Sequence, residues 1–376
     1  MSDQMDNLGL NDDVAVGGRK FHVQTSVSAS ENAIVAQVFH DGQVIDSREV
    51  ALPANVERKE TDERVKEIHQ ELITEMEVLY YINEKVKTVR HAQSANKLGL
   101  VFLQKSLYDE AVEQFRLALE IDPTYSEVYA NLGKTYLVAD AFDAAVEILR
   151  KGVEQAQEYA DIRNYLGIAL LYKEDYAGAA MYLREALDLN PNYIGAYYYL
   201  GIALLAKSLA EADGDAASEA SAEALKHLTK ASESVVNRSL ASFDSVMAKV
   251  ENKEYGAAVN EVLLSKPKAS VTHFLNIEHE FYLKFMYGGK GKDDSFISDY
   301  VVGLREMIDK YPGYADVRNN LGVANLIQCR NLFLKALEEF RTALKINPDY
   351  KKAQKNLKLA ENDGKGFLIL LRAILK

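Results

Sequence analysis

Four glycines in this chain stand at a constant interval, because Gly99, Gly133, Gly167 and Gly201 are each thirty-four residues apart. An interval of this length is typical of arrays of helical hairpins, in which each repeat packs against its neighbours. Such an array forms an extended surface and not a closed chamber around reacting groups. The interval therefore predicts a mainly α fold and favours a function in binding.

Small and large residues around these glycines indicate two antiparallel helices in each repeat. Gly99 and Ala111 are placed where two helices would cross, and their lack of bulk lets the backbones approach. Pro123 ends the second helix, because its ring cannot continue one. The same residue types recur in the next two copies as Leu132, Gly133, Tyr136, Ala145, Leu149 and Gly152, and as Leu166, Gly167, Leu170, Ala179, Leu183, Ala186 and Pro191.

This pattern resembles the tetratricopeptide repeat, whose signature is W-x2-L-G-x2-Y, then A-x3-F, then P. The resemblance is strong over residues 92–206 and 315–348, although the chain has no Trp. It implies an α-α superhelix or solenoid. With the N-terminal patterns described below, the predicted fold is mainly α, a solenoid preceded by a small antiparallel β-hairpin module and a long helix. The predicted solenoid covers residues 92–348, with clear repeats at 92–125, 126–159, 160–193, 194–237 and 315–348, and degenerate hairpins at 238–314.

Two of the repeats are longer than the others. From Gly201 to Ala224 there are twenty-three residues instead of twelve, and we expect the polar stretch 207–223 to be an extended helix end and a solvated loop. From Gly322 to Ala336 there are fourteen residues, which predicts a hairpin with a longer turn. Residues 349–376 are expected to form a capping helix and an apolar tail.

The first 91 residues follow other patterns. We expect residues 1–18 to be disordered and residues 19–53 to form an antiparallel β-hairpin module of about three strands, because alternating apolar residues lead into the turn sequence Asp41-Gly42. Residues 54–91 are predicted to be a long linking helix. Its apolar seam, within residues 60–89, either covers the module's own sheet or forms a homodimer as a coiled coil.

Composition limits the classes of partner and site. A net charge of −12 argues against nucleic acid, because phosphate binding needs clustered Lys and Arg. The start of the chain lacks a leader pattern, and one cysteine fits a reducing compartment, so a cytoplasmic location is expected. The run 287–292 lacks the spacing of a phosphate loop. With no convergent nucleophile, base or ligand set, we expect no catalytic residue, no metal and no cofactor.

Resemblance to the family also implies where a partner binds, since its first helices line a concave groove. The residues at the corresponding positions are Asn96, Asn131, Lys134, Asn164, Tyr165, Tyr172, Tyr198, Tyr199, Asn319 and Asn320. Asparagine can hold a peptide backbone because its carboxamide both donates and accepts. Tyrosine is a frequent interface anchor, although several of these tyrosines could instead fill gaps between repeats.

The sequence thus favours a non-catalytic scaffold or adaptor that binds a peptide or helix of a partner protein in the groove. The alternative is an accessory factor for envelope, pilus or secretion assembly, tethered peripherally to a membrane by the apolar tail. That tail, residues 367–376, is too short to span a bilayer. It either folds back on the last helices or offers a patch to a partner or a membrane surface.

Overall fold

The structure, a computed structural model, describes residues 9–28, 32–53, 57–211, 214–233, 242–265 and 273–374. Within these ranges, the side chains of 214–221, 273–277, 292, 363–365 and 367–374 are outside the description. The chain forms two compact units, residues 1–276 and 277–376. The predicted fold class is confirmed: an antiparallel sheet and a long helix precede a succession of α-hairpins.

The N-terminal sheet has four strands in the order β1-β2-β3-β4, and all neighbours are antiparallel. The strands are β1 (Leu10–Val16), β2 (Arg19–Ser28), β3 (Ala33–His40) and β4 (Gln43–Ala51). Asp41 and Gly42 both have positive φ, 48° and 78°, which is the conformation that a two-residue hairpin turn requires. The β-hairpin prediction therefore holds for β2 to β4.

Strand β1 corrects the prediction that residues 1–18 are disordered. Residues 1–8 lie outside the described part, but 10–16 pair with β2. The strand was hard to recognise because it lies at the sheet edge, where Asn11, Asp12 and Asp13 are exposed and only Val14 is buried. The available signal was the Gly17-Gly18 turn, in which both residues have positive φ, 59° and 78°.

Helix α1 (Arg58–Val89) lies on this sheet and contacts β1, β2 and β3. Its seam is buried within the chain, except for Val89, which is 57% exposed. Glu75 interrupts the seam because both of its carboxylate oxygens accept from the Arg48 guanidinium of β4 at 3.0 Å. The seam therefore covers the module's own sheet. Apart from Val89, its apolar side chains are buried within the chain and are not exposed for a homodimeric coiled coil.

The first three repeats are regular hairpins. They consist of α2 (Ala92–Gln104) and α3 (Tyr108–Ile121), α4 (Ser126–Val138) and α5 (Phe142–Gln155), and α6 (Ala160–Tyr172) and α7 (Tyr176–Leu189). Their signature glycines lie where the sequence places the helix crossing. A Cβ atom on Gly99 would come within 2.6 Å of Phe115, and one on Gly133 within 2.3 Å of Leu149. A Cβ at either position would therefore displace the side chain that packs against the glycine.

The fourth repeat corrects the predicted loop. Helix α8 (Ile194–Glu211) and helix α9 (Gly214–Ser232) extend into residues 207–223 from both sides of the undescribed pair 212–213. The extended helix end is therefore present, but the solvated loop is wrong for the described residues. The reason is composition, because Ala and Glu, which are abundant in this stretch, are strong helix formers even where no core requires them.

The following helices occupy the stretch in which the repeat pattern is weak. They are α10 (Phe243–Glu251), α11 (Tyr255–Leu264), α12 (His273–Met286) and α13 (Asp294–Lys310). Helix α11 contacts α10 and also α8, so these two helices lie beside the fourth repeat.

The last predicted repeat is not a hairpin. Residues 315–348 were expected to form two helices, but α14 (Ala315–Ile346) is one continuous helix of 32 residues. Two extra residues lie between its signature positions, and the absence of Gly and Pro from 323 to 346 permits a continuous helix, although the turns of the first three repeats lack these residues too. Helix α15 (Lys351–Ile374) follows and includes most of the apolar tail, whose side chains lie outside the described part. Where the chain is described, its helices all fall short of the length and apolarity that crossing a bilayer requires.

A buried hydrogen bond joins the N-terminal module to the first repeat. Tyr80 of α1 donates to a Glu110 carboxylate oxygen of α3 at 2.8 Å, and the Nε of Arg19 on β2 lies 2.9 Å from the same atom. Both Tyr80 and Glu110 are buried. In addition, Lys105, the residue that follows α2, pairs with Asp46 of β4. The module and the first repeat are thus joined by polar contacts as well as by apolar packing.

Tyr80→Phe is expected to lower the free energy of unfolding by about 1.5–3 kcal/mol, since it removes a hydrogen bond to a buried charged group. Chemical denaturation followed by circular dichroism measures this. Tyr81→Phe is the matched control, because Tyr81 is 52% exposed, and its effect should stay within about 0.5 kcal/mol. Equal effects of the two substitutions would contradict the role given to the Tyr80 hydroxyl.

Candidate partner-binding groove

The first helices of the repeats, α2, α4, α6 and α8, form one face of the array. Helix α2 contacts α4, α4 contacts α6, and α6 contacts α8, whereas neighbouring second helices make fewer contacts with one another. The first helices are therefore closer together, which places them on the inner side of the curve. Inner faces of this kind are the binding surfaces of solenoid proteins.

Three tyrosines mark the edge of this face at the interval of the repeat. Tyr125, Tyr159 and Tyr193 are each thirty-four residues apart, and each directly precedes a first helix. All three are half-buried. The sequence prediction missed them, although their spacing equals that of the signature glycines and could have been used to find them.

A polar network links the first and second repeats across this face. The amide nitrogen of Asn96 donates to the Tyr125 hydroxyl and to a Glu127 carboxylate oxygen, both at 3.3 Å. Asn131 in turn donates to the Asn96 carbonyl oxygen at 3.0 Å. Asn96 is only 2% exposed. The network therefore fixes the groove wall, while half-buried Asn131 and Glu127 keep some surface for a partner.

The third repeat repeats part of this arrangement. The amide nitrogen of Asn164 donates to the Tyr193 hydroxyl at 3.2 Å, which corresponds to the contact of Asn96 with Tyr125 one pair of repeats earlier. The carbonyl oxygen of Asn164 is buried and has no hydrogen-bond partner among the residues that the structure describes. An unpaired buried acceptor costs free energy, so a donor at this place would be favourable.

Carboxylates lie among the tyrosines. Burial, followed by the charges of Glu127 and Asp161, raises the pKa of Tyr159 to about 12, so its hydroxyl stays protonated and can donate. Burial lowers the pKa of Lys134, and the nearby Asp161 opposes this shift. Among the residues named here, the face thus presents phenol groups and carboxylates together with one lysine, Lys134.

Two of the predicted tyrosine anchors instead support the fold. Tyr198 is 2% exposed and lies 5.2 Å, between ring centroids, from Phe243 of α10. The hydroxyl of Tyr172 donates to the carbonyl oxygens of Val262 and Ser265 at the end of α11, at 3.1 and 2.8 Å. Tyr172 and Tyr198 therefore fill gaps between structural elements, which is the alternative interpretation of these tyrosines.

The remaining predicted residues are divided between the two units. Tyr165 and Tyr199 are half-buried on α6 and α8, and burial raises the pKa of Tyr199 to about 12. Asn319 and Asn320 lie on α14, in the second unit. Asn319 is exposed, and Asn320 donates to a Glu278 carboxylate oxygen at 2.9 Å. The predicted ladder of asparagines is therefore assembled only in part.

The helices between residues 92 and 232, where the structure describes them, thus form an α-hairpin solenoid with a polar inner face. Residues 102–166 match the family model described as Tetratricopeptide repeat. This stretch therefore carries the tetratricopeptide repeat that the signature residues implied, and arrays of such repeats are protein-interaction scaffolds.

Several solved structures are similar to this chain over part of its length. The crystal structure of MamA is 21% identical over 49% of this chain and 100% of that chain, with a TM-score of 0.36. A structure of YrrB, described as a TPR protein with an unusual peptide-binding site, is 19% identical over 53% of this chain and 97% of its own, with a TM-score of 0.34. A structure of PilF of Pseudomonas aeruginosa is 22% identical over 60% of this chain and 95% of its own, with a TM-score of 0.35. A search of curated proteins finds no match.

Proposed function

We propose that this chain is a non-catalytic adaptor that binds a peptide or helix of a partner protein along α2, α4, α6 and α8. The observation that carries the proposal is the row of half-buried tyrosines 125, 159 and 193 along the edge of the inner face, with Glu127 and Asp161 near Tyr159. Aromatic side chains with a polar tip are the residues that most often dominate binding energy at interfaces.

The lining residues favour a partner segment that is rich in hydrogen-bond donors. Glu127 and Asp161 accept hydrogen bonds, and the carbonyl oxygen of Asn164 is an unpaired acceptor. Backbone N–H groups of an extended peptide, or basic side chains on one face of a helix, supply such donors. Lys134 provides one positive charge beside these acceptors. A carboxylate of the partner that pairs with it would fix the direction of the segment along the groove.

The groove is tested with peptides selected from a displayed random library against the full chain. Tyr159→Ala is expected to weaken binding of the selected peptide roughly thirtyfold, equivalent to about 2 kcal/mol, because it removes a central aromatic anchor. Tyr159→Phe keeps the ring but loses the hydroxyl, so its affinity for the peptide should lie between those of the parent and of Tyr159→Ala. Fluorescence anisotropy with the labelled peptide measures the dissociation constants.

The control for this experiment is Tyr81→Ala, since Tyr81 is an exposed tyrosine of α1. It should leave peptide affinity unchanged, and both alanine variants should keep the helical circular dichroism of the parent. A selected peptide that binds Tyr159→Ala as tightly as the parent would remove the groove from the proposal. So would a repeated failure of the library to yield any binding peptide.

A further inference from the structure

The tetratricopeptide signature is satisfied in four hairpins and left open in α14. In the four hairpins the large signature residue of the second helix lies against the glycine of the first and is at most 1% exposed; these residues are Phe115, Leu149, Leu183 and Leu228. In α14 the same positions are Phe340, which is half-buried, and Gly322, which is exposed. In the described part of the chain, no atom other than those of the adjoining backbone of α14 and the two neighbouring residues lies within 4 Å of a Cβ placed on Gly322.

The small residue of the second helix shows the same difference. Ala111, Ala145, Ala179 and Ala224 are fully buried in their hairpins, whereas Ala336 of α14 is exposed. Gly322 and Phe340 cannot meet within one straight helix, because eighteen residues separate them by about 27 Å. Residues that elsewhere form a helix crossing are thus present in α14, and the crossing is not made.

Each half of α14 already has its other neighbour within the second unit. Val317, Ala324 and Ile327 of the first half pack with Tyr300 and Leu304 of α13 in one apolar cluster. The second half lies against α15, and Arg341 pairs with Glu361 at 3.1 Å. The contact that is missing is therefore only the one between the two halves.

We propose that α14 is an opened hairpin whose missing contact is made by a second copy of this chain. Two α14 helices would pair antiparallel, with Gly322 of each copy against Phe340 of the other. Each half would then keep its own neighbour, α13 or α15. The proposed contact continues an interface that this chain already forms four times, and exchanging an identical element between copies costs little, because every contact of a closed hairpin is re-formed.

This pairing fixes a register that can be tested chemically. If residue 322 lies opposite residue 340, position 331 is the centre of the pair. Cys329 is exposed, is the single cysteine of the chain, and lies seven residues, or two turns, after Gly322 on the same helix face. The two Cys329 side chains would be offset by about 6 Å along the helices. A short bismaleimide should therefore join them.

The experiment combines the mass of the full chain in solution, by light scattering after size exclusion, with this cross-linking. The expected result is twice the chain mass of 42.0 kDa, with a covalent dimer through Cys329 on a denaturing gel. A monomeric mass at micromolar concentrations would overturn the proposal, whether the hairpin is closed or open. A dimer in which Cys329 does not cross-link would also overturn it, because the pairing would use another surface.

A variant separates this contact from folding. Gly322→Leu fills the space meant for the second copy's Phe340 and should weaken dimerisation about tenfold or more. Gly303→Leu on α13 is the matched control, because it too is a helical glycine with open space around its Cβ, and it should leave the dimer unchanged. Equal dimerisation of the two variants, both with parental helical circular dichroism, would contradict the proposed pairing.

Discussion

Phe115→Ala is expected to lower the free energy of unfolding by about 3–5 kcal/mol, the range for deleting a buried aromatic ring. Phe115 is 0% exposed, and its ring lies against Gly99, where the two helices of the first repeat cross. The substitution leaves a cavity beside Gly99, which has no side chain that could fill it. Urea denaturation followed by helical circular dichroism measures the change.

The control for this prediction is Tyr81→Ala, which removes an aromatic ring of similar size from an exposed position. It should change stability by no more than about 0.5 kcal/mol. Because repeat arrays can lose structure in stages, the transition to compare is the one that the Phe115 substitution shifts. A loss below about 1 kcal/mol for Phe115→Ala would mean that the first hairpin is not packed as described.

The second prediction compares two glycines on one helix, α8. A Cβ atom on Gly201 would come within 2.5 Å of Leu228 and 3.1 Å of the Ala224 carbonyl oxygen, whereas one on Gly195 would meet nothing within 4 Å. Gly201→Ala is therefore expected to cost about 1–3 kcal/mol through overpacking. Gly195→Ala should be stabilising by about 0.5–1 kcal/mol, because alanine restricts the unfolded chain and favours a helix.

Thermal unfolding of the two alanine variants beside the parent gives the comparison directly. The same chemical change in the same helix should move the midpoint in opposite directions. If Gly201→Ala were as stable as Gly195→Ala, the close approach of α8 and α9 would be wrong. The repeat signature would then have no packing reason at this position.

The hairpins with signature glycines were predictable because close helix contact excludes larger side chains, and that exclusion is visible in a sequence. The position of each turn was predictable only from the interval. The turn residues at positive φ are Ser106, Asp140 and Glu174, and only Asp140 is of a residue type that is enriched in this conformation. The continuous helix α14 escaped prediction for the same reason, because a missing turn and a present one use similar residues.

The groove was predictable in part. Transfer of the family's groove positions named Asn96, Asn131 and Asn164, which lie on first helices and form hydrogen bonds between repeats, and their contact with a partner stays a prediction. It missed Tyr125, Tyr159 and Tyr193 because they precede the helices. It placed Tyr198 on the surface because nothing in the weakly patterned segment after residue 238 showed that Phe243 would cover it.

Amide hydrogen exchange of the full chain, with and without a library-selected peptide, tests most directly whether the first helices form the binding face. The account predicts slower exchange in the first turns of α4, α6 and α8, which follow the three tyrosines, and little change in α3, α5 and α7. Protection confined to the N-terminal sheet, to the second helices or to α14 would contradict it.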